Sequence, residues 1–325
     1  MLKPEEQDCP AAVTDRAFRA DVLAGLAARP RAIPARWFYD RRGSELFEAI
    51  TRLPEYYLTR TETGILRDAG TRIAARVGEG RAVVEFGAGA AVKTPLLLRA
   101  VAPAAYVPID ISAEFLSVSA AALAADFPGL PVLPVAADFM TGVALPASIA
   151  GLPKLGFFPG STIGNMTPGY AIDLLRMMRA SLGTGAMLVI GMDRVKPVDQ
   201  LLAAYDDADG TTAAFNLNLI ARINRELGGT VPLDALRHVA RWNEPLARIE
   251  MHLEAMRDIA FTVAGQPFAM AAGETIHTEN SHKYDARSAR LLLTAGGWTP
   301  LDEWTDPDDR FAVLLAEAQP ARSAP

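Results

Sequence analysis

Cysteine is nearly absent: Cys9 is the only one in 325 residues. A lone thiol excludes an intramolecular disulfide and any multi-cysteine zinc or iron–sulfur site, and it suits a reducing compartment. Excess positive charge is missing too, with 32 Lys and Arg against 38 Asp and Glu, a formal −6. Nothing in that balance gathers phosphates, so neither nucleic acid nor an anionic membrane surface is expected as a partner. Histidine is scarce; His238, His252, His277 and His282 show no metal-ligand spacing on one predicted face, and no metal is expected. Long apolar runs are lacking as well. The uncharged stretch 155–172 is interrupted by Pro159, Gly160, Gly164, Asn165 and Pro168, which a membrane helix of about 20 apolar residues would not contain. The opening MLKPEEQDCP carries acids and a proline where a secretory signal needs a basic start and an apolar run. A cytoplasmic monomer is expected. Half of the residues are hydrophobic, enough for a sizeable core, and at about 150 residues per domain the length suggests roughly two domains.

From Arg81 the pattern becomes regular. RAVVEF reads as a strand, GAGAA as a small-residue turn, and a helical stretch begins at Thr94. AYVPIDI is a second strand, followed by the helix SAEFLSVSAAALAADF with Ser112 placed as its cap. VLPVAAD and LGFFPG are further strands, TPGYAIDLLRMMRASLG is a helix stopped at Gly183, and AMLVIGMD is a fifth strand. Strands alternating with helices argue for an α/β, doubly wound, Rossmann-like sheet with ligands at the carboxyl ends of its strands. After Asp193 the period changes. A helical region broken near Gly210 precedes strand-like segments LARIEMHLEAM, IAFTVAG, PFAMAAG and ETIHTENSHKY, and a helix and strand pair close the chain. The expected division is a helical flank over 1–55, a core over 56–194 and 285–325, and an inserted α+β substrate domain over 195–284.

The chemistry starts at Glu85-Phe86-Gly87-Ala88-Gly89, where the first strand hands over to the first helix. Gly87 and Gly89 permit a tight turn and close approach of a ligand to backbone. The third glycine of the dinucleotide fingerprint is absent, since Ala91 and Val92 follow, and Lys93-Thr94 lacks the glycine spacing of a P-loop. Asp110 ends the second strand, where a carboxylate can accept both ribose hydroxyls, and Asp138-Phe139 end the third, where they can bond to and stack on adenine. Ribose and adenine without a pyrophosphate fit S-adenosylmethionine. Strand-end capping is the alternative role for both acids. Beyond the fourth strand, Phe157 to Asn165 makes a close-walled loop of glycines and small hydroxyls with Asn165 as donor and acceptor, suited to a small zwitterion.

The segments YDRRGSELFEAITRLPEYYLTRTE, EFGAGAAVKT, FFPGSTIGN, AAYDDADGTTAAFNLNLIARINREL and IHTENSHKY resemble, in order and spacing, the histidine-specific N-alpha-methyltransferases that make hercynine in ergothioneine biosynthesis. The resemblance runs from about Arg36 to the last strand. It implies a class I methyltransferase core with an inserted substrate domain, and three methyl transfers from S-adenosylmethionine to the alpha-amine of L-histidine. It implies cofactor contacts at Gly87, Lys93, Asp110, Asp138 and Phe139, and a carboxylate grip by Asn165 and Tyr205 with Gly160 and Thr162 in the same loop. Glu279 and Ser281 match the pair that bonds to the imidazole. Tyr39, Phe47, Tyr56 and Met251 match the surrounding wall, with Phe215 as a further candidate.

The residues permit this independently. In an extended strand Glu279 and Ser281 point to one face, so one carboxylate and one hydroxyl can meet both nitrogens of one ring. A solvated edge strand would look the same in sequence, and Tyr39 and Tyr56 also read as half-buried packing tyrosines. Attack on the sulfonium methyl needs a neutral alpha-amine, for which Tyr39 is the candidate aid, and the rings of Tyr39, Phe47 and Tyr56 would favour the growing ammonium. Two other functions fit: the same chemistry on another amino acid or a histidine derivative, or a binding protein that keeps the fold without catalysis.

Overall fold

The computed structural model describes residues 15–89, 93–111 and 113–320; Cys9, Ala91, Val92 and the expected cap Ser112 lie outside them. The chain begins with α1 (Arg16–Ala27), whose first N–H groups bond to the Asp15 carboxylate, then β1 (Arg31–Ala32) and α2 (Arg41–Ile50), capped by Asp40. The regular alternation follows as α3 (Tyr57–Val77), β2 (Ala82–Phe86), α4 (Thr94–Val101), β3 (Ala105–Asp110), α5 (Ala113–Asp126), β4 (Val135–Ala136), β5 (Lys154–Phe158), α6 (Pro168–Leu182) and β6 (Met187–Asp193). Next come α7 (Val198–Ala203), α8 (Thr211–Leu227), β7 (Leu236–Asn243), β8 (Arg248–Ala255), β9 (Ile259–Val263), β10 (Gln266–Met270) and β11 (Thr275–His282). The chain closes with α9 (Ala286–Ala295), β12 (Trp298–Thr305) and β13 (Phe311–Ala318). These elements gather into two compact units. The first holds the chain up to Leu53, Leu202–Arg241 and Glu250–Glu279; the second holds Pro54–Leu201, Trp242–Ile249 and the chain from Asn280.

The second unit is built on a seven-stranded sheet in the order β12-β13-β6-β5-β2-β3-β4. Strands β4, β3, β2, β5 and β6 run parallel, and β13 is antiparallel to both β6 and β12. The expected Rossmann-like α/β sheet is therefore the observed one. Its central strands are apolar on both faces, as strands covered by helices must be: Val84, Phe86, Val107, Ile109, Phe158, Ile190 and Leu314 are buried together with Leu174, Leu175 and Met178 of α6 and Leu293 of α9. Glu85 is the polar exception inside β2. The strand expected over VLPVAAD shrinks to two residues, because Pro131 and Pro134 carry no N–H for a ladder. Gly183, at φ 88°, ends α6 where expected.

The first unit carries a sheet in the order β1-β11-β8-β7 and the β9–β10 hairpin. Helix α8 starts at Gly210, the expected break, where Asp207 accepts the N–H groups of Thr211 and Thr212 at 2.8 and 2.7 Å. It buries Phe215, Leu219, Ile220 and Ile223. Strand β7 has no counterpart among the expected strands: Arg237, His238 and Arg241 break its apolar alternation, and only Leu236 is fully buried. Among the described residues no helix is long and apolar enough to cross a membrane.

Candidate active site

In the second unit, the glycine turn behaves as a ligand-facing turn should. Gly87 and Gly89 sit at φ 72° and 49°, and a Cβ on Gly87 would lie 3.3 Å from the Phe139 ring. The N–H groups of Gly87 and Ala88 both donate to the Ile109 carbonyl at the end of β3, at 2.8 and 3.0 Å. Asp110 then accepts the Gly89 N–H at 3.0 Å, so its carboxylate is held against the turn. Asp138 caps the short 3₁₀ turn Phe139–Thr141 by accepting the Met140 N–H at 2.9 Å, so the capping role holds for it. Phe139 stands edge-on to Phe86 and Phe158, with centroids 6.5 and 6.0 Å away.

Beneath the turn lies a buried cluster that sequence reasoning did not single out. Glu85, 1% exposed, accepts hydrogen bonds from Thr94 Oγ1 at 2.7 Å and the Tyr106 hydroxyl at 2.6 Å. Burial pushes its carboxyl up to about 7 against the pull of those two donors, and burial beside it raises the Tyr106 phenol. Glu62 of α3 is fully buried; one oxygen accepts both the Lys93 ammonium and the Gly160 N–H, the latter at 2.8 Å. Its other oxygen has no hydrogen-bond partner among the described residues. Two expected contacts, Lys93 and Gly160, are thus tied to one carboxylate. Glycine at 191 makes room for it, since a Cβ there would fall 2.1 Å from Glu62 Oε1.

The loop after β5 is anchored from a third side. Gly160 and Ser161 both take positive φ, 83° and 56°, and the Ser161 hydroxyl accepts the Asp193 N–H at 2.9 Å. Thr162 turns its hydroxyl to the Pro159 carbonyl at 3.0 Å. A Cβ on Gly164 would meet the His282 carbonyl at 2.8 Å, so this loop and the end of β11 pack backbone to backbone. Asn165, half-buried, ends the 3₁₀ turn of that loop, and Tyr56, 8% exposed, precedes α3. Asp193 is the hub: its carboxylate accepts the Tyr57 hydroxyl at 2.8 Å and pairs with Lys196 at 2.6 Å and Lys283 at 2.8 Å. Burial outweighs the attraction of Asp193 and lowers the Lys196 ammonium to about 8. Lys283 in turn donates to Ser281 Oγ at 2.7 Å.

In the first unit, Tyr39, Phe47 and Phe215 form one aromatic group, with centroid separations of 5.7, 5.8 and 6.0 Å, and Phe38 adds to it 4.6 Å from Phe215. Three of the expected wall residues are thereby brought together. Tyr205 is buried, and its carbonyl meets His238 Nε2 at 2.7 Å. Asn216 Nδ2 lies 2.8 Å from His238 Nδ1 and donates to the His252 carbonyl at 3.1 Å, while Asn216 Oδ1 accepts from Thr278. An amide donor on Nδ1 makes His238 a neutral ring whose Nε2–H donates to Tyr205, and burial lowers its pKa accordingly. Met251 lies buried on β8 and its carbonyl accepts from Thr278 at 3.0 Å. Glu279 is half-buried on β11. Since β11 lies between β1 and β8 and Ser281 is 3% exposed, the solvated-edge reading of this strand is ruled out. One expectation is corrected: His252 and His277 do share a face. Their rings stack at 4.9 Å, and with Glu250 they place three donor atoms within 4.8 Å, a grouping made by neighbouring strands and invisible in linear spacing.

A family model described as histidine-specific methyltransferase, SAM-dependent, matches residues 18–318. The chain belongs to that family. It is an S-adenosylmethionine-dependent methyltransferase of class I fold, and the strand order and glycine turn of its core agree with that. It is 42% identical over 306 residues to a histidine N-alpha-methyltransferase of Mycolicibacterium smegmatis, covering 92% of this chain and 94% of the relative. It is 39% identical to the protein of that name from Mycobacterium tuberculosis, with the same coverage of both. It is 29% identical to ergothioneine biosynthesis protein 1 of Neurospora crassa, covering 89% of this chain and 34% of that longer relative. What sequence reasoning missed in this methyltransferase are supporting groups: Glu62, Glu85, Asp193, Asn216 and Lys283. Glu62, Glu85, Asn216 and Lys283 do lie inside the segments that carry the family resemblance, the one available signal for them, whereas Asp193 lies outside all of those segments.

Proposed function

We propose that the enzyme transfers methyl groups from S-adenosylmethionine to the alpha-amine of L-histidine, three times, to give hercynine for ergothioneine biosynthesis. The carrying observation is the turn geometry: a carboxylate at the end of β3 held on a glycine turn at the end of β2, in a chain whose family match spans nearly its whole length. Two close relatives carry the histidine activity in their names, and the Neurospora relative carries the pathway. In this reading Gly87, Gly89, Lys93, Asp110, Asp138 and Phe139 bind the methyl donor. Asn165 and Tyr205 fix the amino acid's carboxylate, with Gly160 and Thr162 shaping the loop, and Glu279 and Ser281 hold the imidazole. Tyr39, Phe47, Tyr56, Phe215 and Met251 wall the substrate. The division into a flank over 1–55, a core over 56–194 and 285–325 and a substrate-binding insert over 195–284 belongs to the same reading, as do a monomeric state and a cytoplasmic site of action.

Mechanistically, the residues orient rather than activate. The amine nitrogen attacks the sulfonium methyl in line, the carbon–sulfur bond breaks with its electrons, and S-adenosylhomocysteine leaves. Before each transfer the nitrogen gives up a proton, so an ammonium becomes a trimethylammonium with release of three protons. In this reading Tyr39, 41% exposed, passes them to solvent. Its ring with Phe47 and Phe215 offers faces that favour the product cation. Incubating the purified protein with S-adenosylmethionine and the twenty amino acids tests this by mass spectrometry. Histidine should gain three methyl masses, and no gain on histidine would reject the proposal in favour of another acceptor.

A further inference from the structure

A lysine whose side chain is wholly buried needs a reason, and Lys283 is one. Its ammonium sits 2.8 Å from Asp193 Oδ2 and donates to Ser281 Oγ at 2.7 Å. We infer that Lys283 is a positioning residue: held by Asp193, it sets the Ser281 hydroxyl as a hydrogen-bond donor, so that the site reads the substrate ring in its neutral form. This rests on the proposed function, which gives Glu279 and Ser281 the two ring nitrogens.

A hydroxyl carries one proton and two lone pairs. With one lone pair committed to a cation, the proton of Ser281 points away from Lys283. An ionised Glu279, two residues back on the same strand face, only accepts. One donor and one acceptor match neutral imidazole, which has one lone pair and one N–H. Two acceptors would match imidazolium. The second lone pair of Ser281 is a poor alternative acceptor, because a charged ring there would stand on the order of 5 Å from Lys283 Nζ, about two hydrogen-bond lengths, with Ser281 and Lys283 each only 3% exposed. The remaining groups around Lys283 reinforce this. Asp193 of β6 is shared with Lys196 and with the Tyr57 hydroxyl of α3, so two ammoniums contact its one carboxylate, with Asp306 a further acid acting on Lys196. His282, next along the strand, turns Nδ1 to the Leu246 carbonyl at 3.1 Å.

The test measures histidine binding calorimetrically with S-adenosylhomocysteine present, at pH 7.5 and 5.5, both below the Lys196 value of about 8. For a ring pKa of about 6.5 the neutral fraction falls roughly tenfold across this interval. The wild-type Kd for histidine should therefore rise about tenfold. Triazolylalanine, whose ring takes up no proton in this interval, should bind with an unchanged Kd and so report any titration of the protein itself. In Lys283→Met, Ser281 can turn over and accept, and the rise for histidine should shrink below about threefold; Lys283→Arg should restore it. Adding Lys283→Met to Ser281→Ala should change nothing further. A folded Lys283→Met protein with the wild-type rise overturns the inference. Equal rises for histidine and triazolylalanine in the wild type overturn it even if the variant does not fold. Absence of histidine binding and of histidine methylation at pH 7.5 would instead reject the functional reading.

Discussion

Glu85 gives the most quantitative prediction, because its burial is complete and its partners are known. It lies in the middle of β2, 1% exposed, directly before the glycine turn, with Thr94 and Tyr106 donating to one oxygen. Burial lifts its carboxyl from 4.5 to about 7. A raised folded-state value means that the folded protein holds a proton which the unfolded chain has already released. Stability from this group is full below about pH 4.5 and is lost as pH climbs through about 7. The interval corresponds to about 3 kcal/mol in total, of which about 2 kcal/mol falls between pH 5.5 and 8. Glu85→Gln keeps an oxygen for the two donors and removes the titration. Urea unfolding of both proteins at pH 5.5 and 8 should show the difference in stability moving by about 2 kcal/mol in favour of the glutamine variant. Any constant cost of the amide cancels in this comparison. Parallel pH profiles would refute the reasoning and show that the carboxylate stays ionised in the folded protein.

Asp110→Ala should weaken S-adenosylmethionine binding at least tenfold and histidine binding little, whereas Glu279→Ala should do the reverse; calorimetry on both variants checks the pair, and equal losses in either variant would remove its assigned role. Gly191→Ala drives a methyl to within 2.1 Å of Glu62 Oε1 and should cost about 1–3 kcal/mol in urea unfolding. An unchanged midpoint would mean that Glu62 is not held against β6.

Much of the fold was readable from local pattern alone. The β/α alternation from Ala82 to Asp193, the break at Gly210 and the stop at Gly183 all follow from short-range chemistry: both-face apolar strands, caps and a glycine at positive φ. The glycine turn and the acids at successive strand ends were legible for the same reason, since each residue's place relative to its own strand is set within a few positions. Strand β7 and the shortened β4 were not, the first because its polar residues hide its period and the second because Pro131 and Pro134 each remove a donor from its ladder. What only the tertiary structure decided are the groups joined across long sequence separations. Glu62 holds Lys93 and the Gly160 N–H, Asp193 gathers Tyr57, Lys196 and Lys283, and His252 stacks on His277. Each of these residues has an ordinary sequence context. A buried charge acquires its role from the partner that offsets its desolvation, and that partner is chosen by strand order and helix packing rather than by neighbours along the chain.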